Sequence, residues 1–156
     1  MNVRVIMLLA LAAAITMTSV ATAGPAGTKQ RVQIDMKIVP NKGFVLTPLQ
    51  AGAVKPDSGT HTCNGETEGV EVLRDGQVSY PNGCRALVLT GKRGKLVLRY
   101  QYAWVEAGGE YNIATGTWKV VRGTGQYARV AGGGRSAELG SPKLRQARYQ
   151  GFLTSR

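Results

Sequence analysis

A period-two alternation of apolar and polar residues recurs along this chain, and no helical periodicity is sustained beyond residue 23. Residues 95–105 show the alternation most clearly, and one face of that segment carries Leu96, Leu98, Tyr100, Tyr102 and Trp104. Residues 31–39 repeat the pattern with Val32, Ile34, Met36 and Ile38. Because successive side chains of a strand point to opposite faces, both segments are predicted to be half-buried strands.

Weaker versions of the same pattern predict more short strands, at residues 44–47, 70–73, 77–80, 86–89, 117–121, 135–139 and 146–154. The chain contains 21 glycines, which favour tight turns over long helices. Three prolines within residues 40–60 predict a mostly irregular connection there. The expected fold class is therefore all-β, an antiparallel barrel or sandwich of roughly eight short strands.

The N-terminus has the parts of an export signal. Arg4 supplies positive charge, residues 5–15 form an unbroken apolar run, and Ala21-Thr22-Ala23 places small residues where signal peptidase cleaves. An uncleaved membrane anchor is the alternative, but an apolar run of 11 residues is short for a bilayer core, which needs roughly 20. We therefore predict cleavage before Gly24.

Cleavage at that point defines the domain organisation. Residues 1–23 are then a signal peptide, and residues 24–156 form one β domain whose first residues, 24–30, are expected to be flexible. The predicted location is periplasmic or secreted, with no transmembrane segment in the mature chain.

Cys63 and Cys84 are the two cysteines of the chain. In an exported protein, an even pair predicts a disulfide. A metal site built from these cysteines and His61 is the alternative, but it lacks a fourth ligand at suitable spacing. We expect the disulfide, and neither a metal nor a cofactor.

The chain is strongly basic, with 20 Lys and Arg against 9 Asp and Glu. Since Arg4 leaves with the signal, the mature domain keeps a net charge one below the formal +11 of the whole chain. Such a surface attracts polyanions, namely nucleic acid, anionic lipid head groups or acidic polysaccharide of the cell envelope, although the basic residues are scattered in sequence and specific nucleic-acid binding is not expected. Solubility with loose envelope association is the simpler interpretation.

Residues 118–134 form the most distinctive segment. It contains Trp118, Val120, Val121, Gly123, Thr124, Gly125 and Tyr127, followed by Gly132, Gly133 and Gly134. The Gly-Thr-Gly run imitates a dinucleotide fingerprint, which requires a long helix next and an acidic residue about 20 residues further on. The three glycines end any helix too early, so a nicotinamide cofactor is not expected.

The same segment resembles the signature of the allene oxide cyclase and dirigent-like barrel superfamily. Proteins of this kind have a strand, Gly-Thr-Gly with an aromatic residue two positions later, a short helical turn and a glycine-rich start of the next strand. The resemblance implies a closed antiparallel barrel of eight strands around a central cavity. It does not imply the cyclase reaction, because the cavity residues of the plant enzymes have no match here.

The resemblance also suggests a role for the residues of this segment. The seven residues Gly123, Thr124, Gly125, Tyr127, Gly132, Gly133 and Gly134 are interpreted as a structural motif, in which glycines permit a helical turn between two strands. Tyr127 is expected to plug one end of the barrel.

Tyr100, Tyr102 and Trp104, with Trp118 adjacent, are the candidate ligand-binding residues. The inward face of a barrel of eight strands either fills the lumen or holds one small ligand, and both interpretations stay open.

Catalytic residues are not identified by any motif. His61 lies in a turn-rich stretch, and no sequence of the nucleophile-elbow type occurs in the chain to supply a partner for it. Glu66, Glu68 and Glu71 are interpreted as surface acids.

Three functions are consistent with these patterns. The first is a non-catalytic binding module that holds a small apolar or aromatic ligand in the lumen. The second is a cyclase or isomerase that acts in the same lumen, and the third is an envelope protein whose basic surface binds anionic polymers.

Overall fold

A computed structural model describes residues 27–39, 41–67, 71–72 and 78–155 of the chain. Nine strands account for most of these residues, and one turn of 3-10 helix, Gly125–Tyr127, lies between the seventh and the eighth. The strands are β1 Lys29–Val39, β2 Gly43–Pro48, β3 Asp57–Thr67, β4 Glu71–Val72, β5 Val78–Gly91, β6 Gly94–Glu106, β7 Asn112–Gly123, β8 Val130–Gly140 and β9 Arg145–Ser155.

Eight of the strands close into an antiparallel barrel in the order β3, β2, β1, β9, β8, β7, β6, β5, and the ring is completed by pairing of β5 with β3. The two-residue β4 pairs with the first residues of β5. The predicted all-β fold with about eight strands in a closed barrel is thus confirmed. Residues 73–77, which include the adjoining ends of the strands predicted at 70–73 and 77–80, lie outside the described residues.

The short strand predicted at residues 44–47 is present as β2, Gly43–Pro48. The mostly irregular connection expected over residues 40–60 is wrong at its C-terminal end, because β3 already begins at Asp57. The start of β3 is polar, and Gly59 approaches β5 so closely that a Cβ atom on it would lie 1.9 Å from the carbonyl oxygen of Thr90. Backbone pairing and close approach specify this strand, so alternation does not reveal it. Strand β1 likewise begins at Lys29, inside the segment expected to be flexible.

Inward-facing aliphatic side chains fill about half of the lumen. Each is at most 1% exposed: Val32, Ile34, Leu46, Leu89, Leu96, Leu98 and Leu153. Full burial of such a side chain contributes about 1.5–3 kcal/mol. The alternation that predicted β1 and β6 therefore also identified the core.

The barrel has two different ends. Strands β1, β3, β6 and β8 begin at the end that we name the closed end, and they finish at the end that we name the mouth. The 3-10 turn after β7 lies at the closed end, whereas the β6–β7 and β8–β9 connections lie at the mouth.

The Gly-Thr-Gly run covers the closed end by clamping the β5–β6 turn. Thr124 exchanges two hydrogen bonds with Lys95, one of 2.8 Å from its own N–H and one of 3.0 Å to its Oγ1. Gly125 has a φ of +60°, and a Cβ atom there would lie 2.2 Å from the carbonyl oxygen of Arg93. Glycine is required at this position both by its left-handed conformation and by the space available.

Tyr127 lies beneath this clamp and is 1% exposed. Its hydroxyl donates a 3.0 Å hydrogen bond to Oδ2 of Asp57, which is also buried. The same carboxylate accepts backbone N–H groups from Lys92 and Arg93 at 3.0 and 3.2 Å. One buried acid thus joins β3, the β5–β6 turn and the 3-10 turn at the closed end.

Cys63 of β3 and Cys84 of β5 form the predicted disulfide, with a Cα–Cα distance of 5.7 Å. The bridge joins the two strands whose pairing completes the barrel. It also excludes both thiolates from the alternative metal site with His61.

Candidate functional site

A cavity of about 500 Å³ occupies the mouth half of the lumen. Its volume falls in the range of small-molecule sites, roughly 300–1,000 Å³. Side chains from seven of the barrel strands and two mouth connections line it: Met36, Ile38, His61, Cys63, Cys84, Leu87, Tyr100, Tyr102, Trp104, Glu110, Asn112, Ala114, Glu138, Gly140, Ser141, Pro142, Arg145 and Tyr149. The lumen is therefore filled at the closed end and open towards the mouth.

An aromatic wall forms one side of the cavity. Tyr100 and Tyr102 stack at 4.8 Å between ring centroids, and Tyr149 lies 5.0 Å from Tyr100 at a tilt of 57°. Trp104 follows on the same face of β6 and also lines the cavity. Three of the four candidate ligand-binding residues thus reach the cavity, together with Tyr149, which was not among the candidates.

Trp118, the fourth candidate, lies one layer deeper and does not line the cavity. It is buried, its Nε1 donates to the backbone carbonyl of Arg135 at 3.2 Å, and its ring packs edge-on against Tyr149. Gly151 leaves room for its ring, since a Cβ atom on Gly151 would lie 2.8 Å from Cζ2 of the indole. Trp118 therefore forms the floor under the aromatic wall.

A polar cluster lies beside the aromatic wall. Glu138 of β8 is buried, and one of its carboxylate oxygens accepts a hydrogen bond from Nε of Arg145. The other oxygen accepts a 3.2 Å hydrogen bond from the Tyr100 hydroxyl. The Nη2 group of Arg145 lies 3.5 Å from the Tyr102 hydroxyl. The hydroxyl groups of Tyr100 and Tyr102 thus both contact the Glu138–Arg145 ion pair.

Glu138 and Arg145 were not among the residues singled out from the sequence. In the predicted strand at residues 135–139, the apolar side chains are Ala137 and Leu139, and both point outwards. The lumen instead receives Ser136 and Glu138. The signal that identifies such a site is an inverted alternation, in which the polar face of one strand meets the inward faces of its neighbours.

Two tyrosines of the cavity, Tyr100 and Tyr149, are held in their neutral form. Burial raises the pKa of Tyr100 well above its ordinary value, and the negative charge of Glu138 raises it further. Burial also raises the pKa of Tyr149, with a contribution from the nearby Tyr100 hydroxyl. Both phenols are therefore hydrogen-bond donors, not bases, at neutral pH.

The charge of Arg145 is secured by its partner. Burial alone lowers the pKa of this guanidinium, but the charge of Glu138 and the hydrogen bond between them outweigh that effect and raise it. About 39% of the Arg145 side chain remains exposed, against 4% for Glu138. The cation thus faces the cavity and solvent while the carboxylate stays behind it.

Two hydroxyl groups in the lumen lack a hydrogen-bond partner of good geometry among the described residues. They belong to Tyr149 and Ser136, which face each other across the β8–β9 pairing. Of the two, Tyr149 lines the cavity and Ser136 does not. A buried, unsatisfied hydroxyl costs about 1–3 kcal/mol, so the cavity favours a guest that places a polar atom beside Tyr149.

His61 lies in the middle of β3, which corrects the expectation that it lies in a turn-rich stretch. Its ring is buried in the cavity wall, and its Nε2 lies 3.1 Å from the carbonyl oxygen of Lys37. The side chains of Glu66 and Glu71, and all of Glu68, lie outside the described residues.

Comparisons with protein-family models, curated proteins and solved structures found no match to this chain. In the part of the chain that the structure describes, no helix has the length and apolar character needed to cross a bilayer.

Proposed function

We propose that this protein is a non-catalytic binding module that holds one small, flat aromatic or apolar molecule in the mouth half of its barrel. The observation that carries the proposal is the cavity of about 500 Å³ against the stacked rings of Tyr100 and Tyr102. Side chains fill the remainder of the lumen, so the open half is a defined compartment.

The aromatic wall favours a flat guest. Rings prefer offset stacking or edge-to-face contact at 4.5–7 Å between centroids, and such contacts add about 0.5–1.5 kcal/mol beyond area burial. Tyr102 and Trp104 present partly exposed side chains to the cavity, and the buried ring of Tyr100 stacks against Tyr102. A planar molecule that lies against Tyr102 uses a surface that is already ordered.

The polar cluster favours a guest with one hydrogen-bonding group. Arg145 presents guanidinium nitrogen atoms that Glu138 does not occupy, and the hydroxyl of Tyr149, whose pKa is raised by burial, remains a donor at neutral pH. A hydroxyl, carbonyl or carboxylate oxygen on the guest satisfies these donors. The expected ligand is thus an aromatic molecule with a single oxygen-bearing substituent.

A cyclase or isomerase acting in the same cavity is the second candidate, and the buried Glu138 carboxylate favours it. Binding without chemistry is favoured over it, because the charge of Glu138 is already compensated by Arg145. A raised pKa also makes Tyr100 a poor proton donor for catalysis near neutral pH.

The proposal also includes export of the protein and its membership of a barrel family. The apolar run at residues 5–15, the small residues before Gly24 and the Cys63–Cys84 disulfide support processing by signal peptidase and a periplasmic or secreted location. The closed barrel and the place of the Gly-Thr-Gly run support membership of the allene oxide cyclase and dirigent-like group. Intact mass of the purified protein tests processing, and retention of Met1 would contradict it.

Single-tryptophan variants test the ligand proposal, since the chain contains two tryptophans. In Trp118→Phe, the remaining Trp104 reports on the cavity, and in Trp104→Phe, Trp118 reports on the floor. The probes are 1-naphthol, 2-naphthoic acid and 1-anilinonaphthalene-8-sulfonate. We expect saturable quenching or a spectral shift that is larger for Trp104 than for Trp118.

The matched variants are Tyr102→Ala inside the cavity and Tyr111→Ala on the exposed β6–β7 connection. Binding should weaken roughly tenfold or more in the first, which removes a stacking surface, and stay unchanged in the second. If no probe gives a saturable response, the cavity is not a site of this kind. Conversion of a probe at a rate that Glu138→Gln abolishes would favour the enzyme.

A further inference from the structure

Exposed lysines and arginines that are scattered in the sequence gather at the closed end of the barrel. They come from the beginnings of β1 and β6, the β2–β3 and β5–β6 connections, the end of β7 and the segment before β8. We name them the basic cluster: Lys29, Arg31, Lys55, Lys92, Arg93, Lys95, Arg122 and Arg129. Antiparallel closure brings these segments to one end, so the sequence order conceals the cluster.

Acidic residues have the opposite distribution. Among the acidic side chains that the structure describes, Asp57 is the one at the closed end, and it is buried against Tyr127. Glu110 and Glu138 lie at the mouth, and the backbones of Glu66, Glu71 and Glu106 are also placed there. The barrel is therefore polarised along its axis.

The charges of the basic cluster are not neutralised within the described part of the chain. The two ion pairs found there, Glu138–Arg145 and Asp35–Arg148, lie outside the cluster. Lys55 and Arg93 donate to the backbone carbonyls of Gly52 and Pro56, which leaves their charge intact. The closed end thus presents a cationic surface to solvent.

Apolar side chains are exposed at the same end. Leu49 is 45% exposed and follows β2, and its N–H donates to the carbonyl of Arg31 at 2.9 Å. Phe152 of β9 is partly exposed, with the ammonium group of Lys29 4.1 Å from the centre of its ring. Two exposed apolar side chains therefore lie beside cationic residues at this end, Leu49 beside Arg31 and Phe152 beside Lys29.

We propose that the closed end docks on an anionic lipid bilayer, with the basic cluster on the headgroups and Leu49 and Phe152 at the boundary with the acyl chains. Basic residues beside exposed apolar side chains suit this interface, whereas an anionic polymer in solution needs the charges alone. Docking in this orientation points the mouth and its cavity away from the membrane.

Co-sedimentation with phosphatidylcholine vesicles, with and without phosphatidylglycerol, tests the proposal. The protein is expressed from the full coding sequence in a host that exports it and is then purified. The test variant replaces Lys92, Lys95 and Arg129 with glutamine. The matched variant replaces Lys37, Lys42 and Lys143 with glutamine. These lysines are exposed on the wall and at the mouth, and the two variants lose the same charge. Circular dichroism confirms that both variants are folded.

We expect binding that requires phosphatidylglycerol and weakens between roughly 50 and 200 mM salt. The test variant should lose roughly 100-fold in partitioning and the matched variant much less. Leu49→Ser should weaken binding to vesicles while leaving retention on heparin unchanged. Equal losses in the two triple variants would overturn the proposal, and so would binding to heparin or polyphosphate without binding to vesicles.

Discussion

The hydroxyl of Tyr127 and the carboxylate of Asp57 meet at 3.0 Å across 70 residues of sequence. Asp57 begins β3, and Tyr127 ends the 3-10 turn that follows the Gly-Thr-Gly run. Because Asp57 also accepts two N–H groups of the β5–β6 turn, this contact makes the closed end one hydrogen-bonded unit. The Gly-Thr-Gly motif and Tyr127 therefore stabilise the end of the barrel opposite the cavity.

Removal of this hydroxyl tests that task. We expect Tyr127→Phe to lower the free energy of unfolding by about 1–3 kcal/mol, since a hydrogen bond to a buried charged group is lost. Urea denaturation measures the change. Tyr111→Phe is the control, because that ring is 55% exposed, and it should change stability by less than about 0.5 kcal/mol. Equal effects of the two substitutions would contradict the role given to Tyr127.

Substitutions of Gly125 and Gly109 distinguish the cost of a left-handed backbone from the cost of a steric clash. The φ values of the two glycines are +60° and +62°, but a Cβ atom on Gly125 meets the Arg93 carbonyl oxygen at 2.2 Å, whereas one on Gly109 meets nothing within 4 Å. Gly109→Ala should cost about 1 kcal/mol, the price of the left-handed conformation. Gly125→Ala should cost about 3 kcal/mol or more, and Gly125→Val should prevent folding.

Thermal unfolding measures both glycine variants. If Gly125→Ala is no less stable than Gly109→Ala, the close packing of the clamp against the β5–β6 turn is wrong.

The ion pair in the cavity gives a third test. Arg145→Met leaves the carboxylate of Glu138 buried without its cation, and we expect a loss of about 1–3 kcal/mol, reduced by the partial exposure of Arg145. Adding Glu138→Gln should restore part of that loss, because the charge then disappears. A double-mutant cycle by urea denaturation checks this, and strictly additive losses would contradict the contact.

Alternation of side chains predicted an all-β fold of about eight strands, and the resemblance of residues 118–134 to a barrel family added the closed ring, but neither identified the site. Strands β1 and β6 were recognised because their apolar faces point to the lumen, and Cys63 and Cys84 were paired from their number and the export signal. Strand β8 carries its polar face inwards, so Glu138 was missed. Arg145 was missed because the first residue of a strand has no alternation to identify its face.

The charge distribution shows the same limit. The basic residues are scattered along the chain, and only the antiparallel closure of the ring reveals that they share one end. A property that depends on which strand ends are neighbours requires the topology, whereas a property that depends on local pattern does not.

Three buried tyrosines predict how the protein responds to alkali. Burial raises the pKa of Tyr100, Tyr127 and Tyr149 in the folded state, and in the unfolded chain these phenols titrate near 10. Above that pH the unfolded state releases protons that the folded state retains. Stability is therefore complete below about pH 10 and declines as the pH rises towards the folded pKa values, by up to about 1.4 kcal/mol per pH unit for each tyrosine.

Absorbance of tyrosinate, recorded together with circular dichroism across this range, measures the response. We expect the signal of the three buried phenols to rise only as the native dichroism is lost, in one cooperative step. Tyr149→Phe should make the decline in stability less steep, because one linked proton is removed. If all six tyrosines of the chain titrate near pH 10 while the native dichroism persists, these three rings are accessible to solvent and the packing of the lumen is wrong.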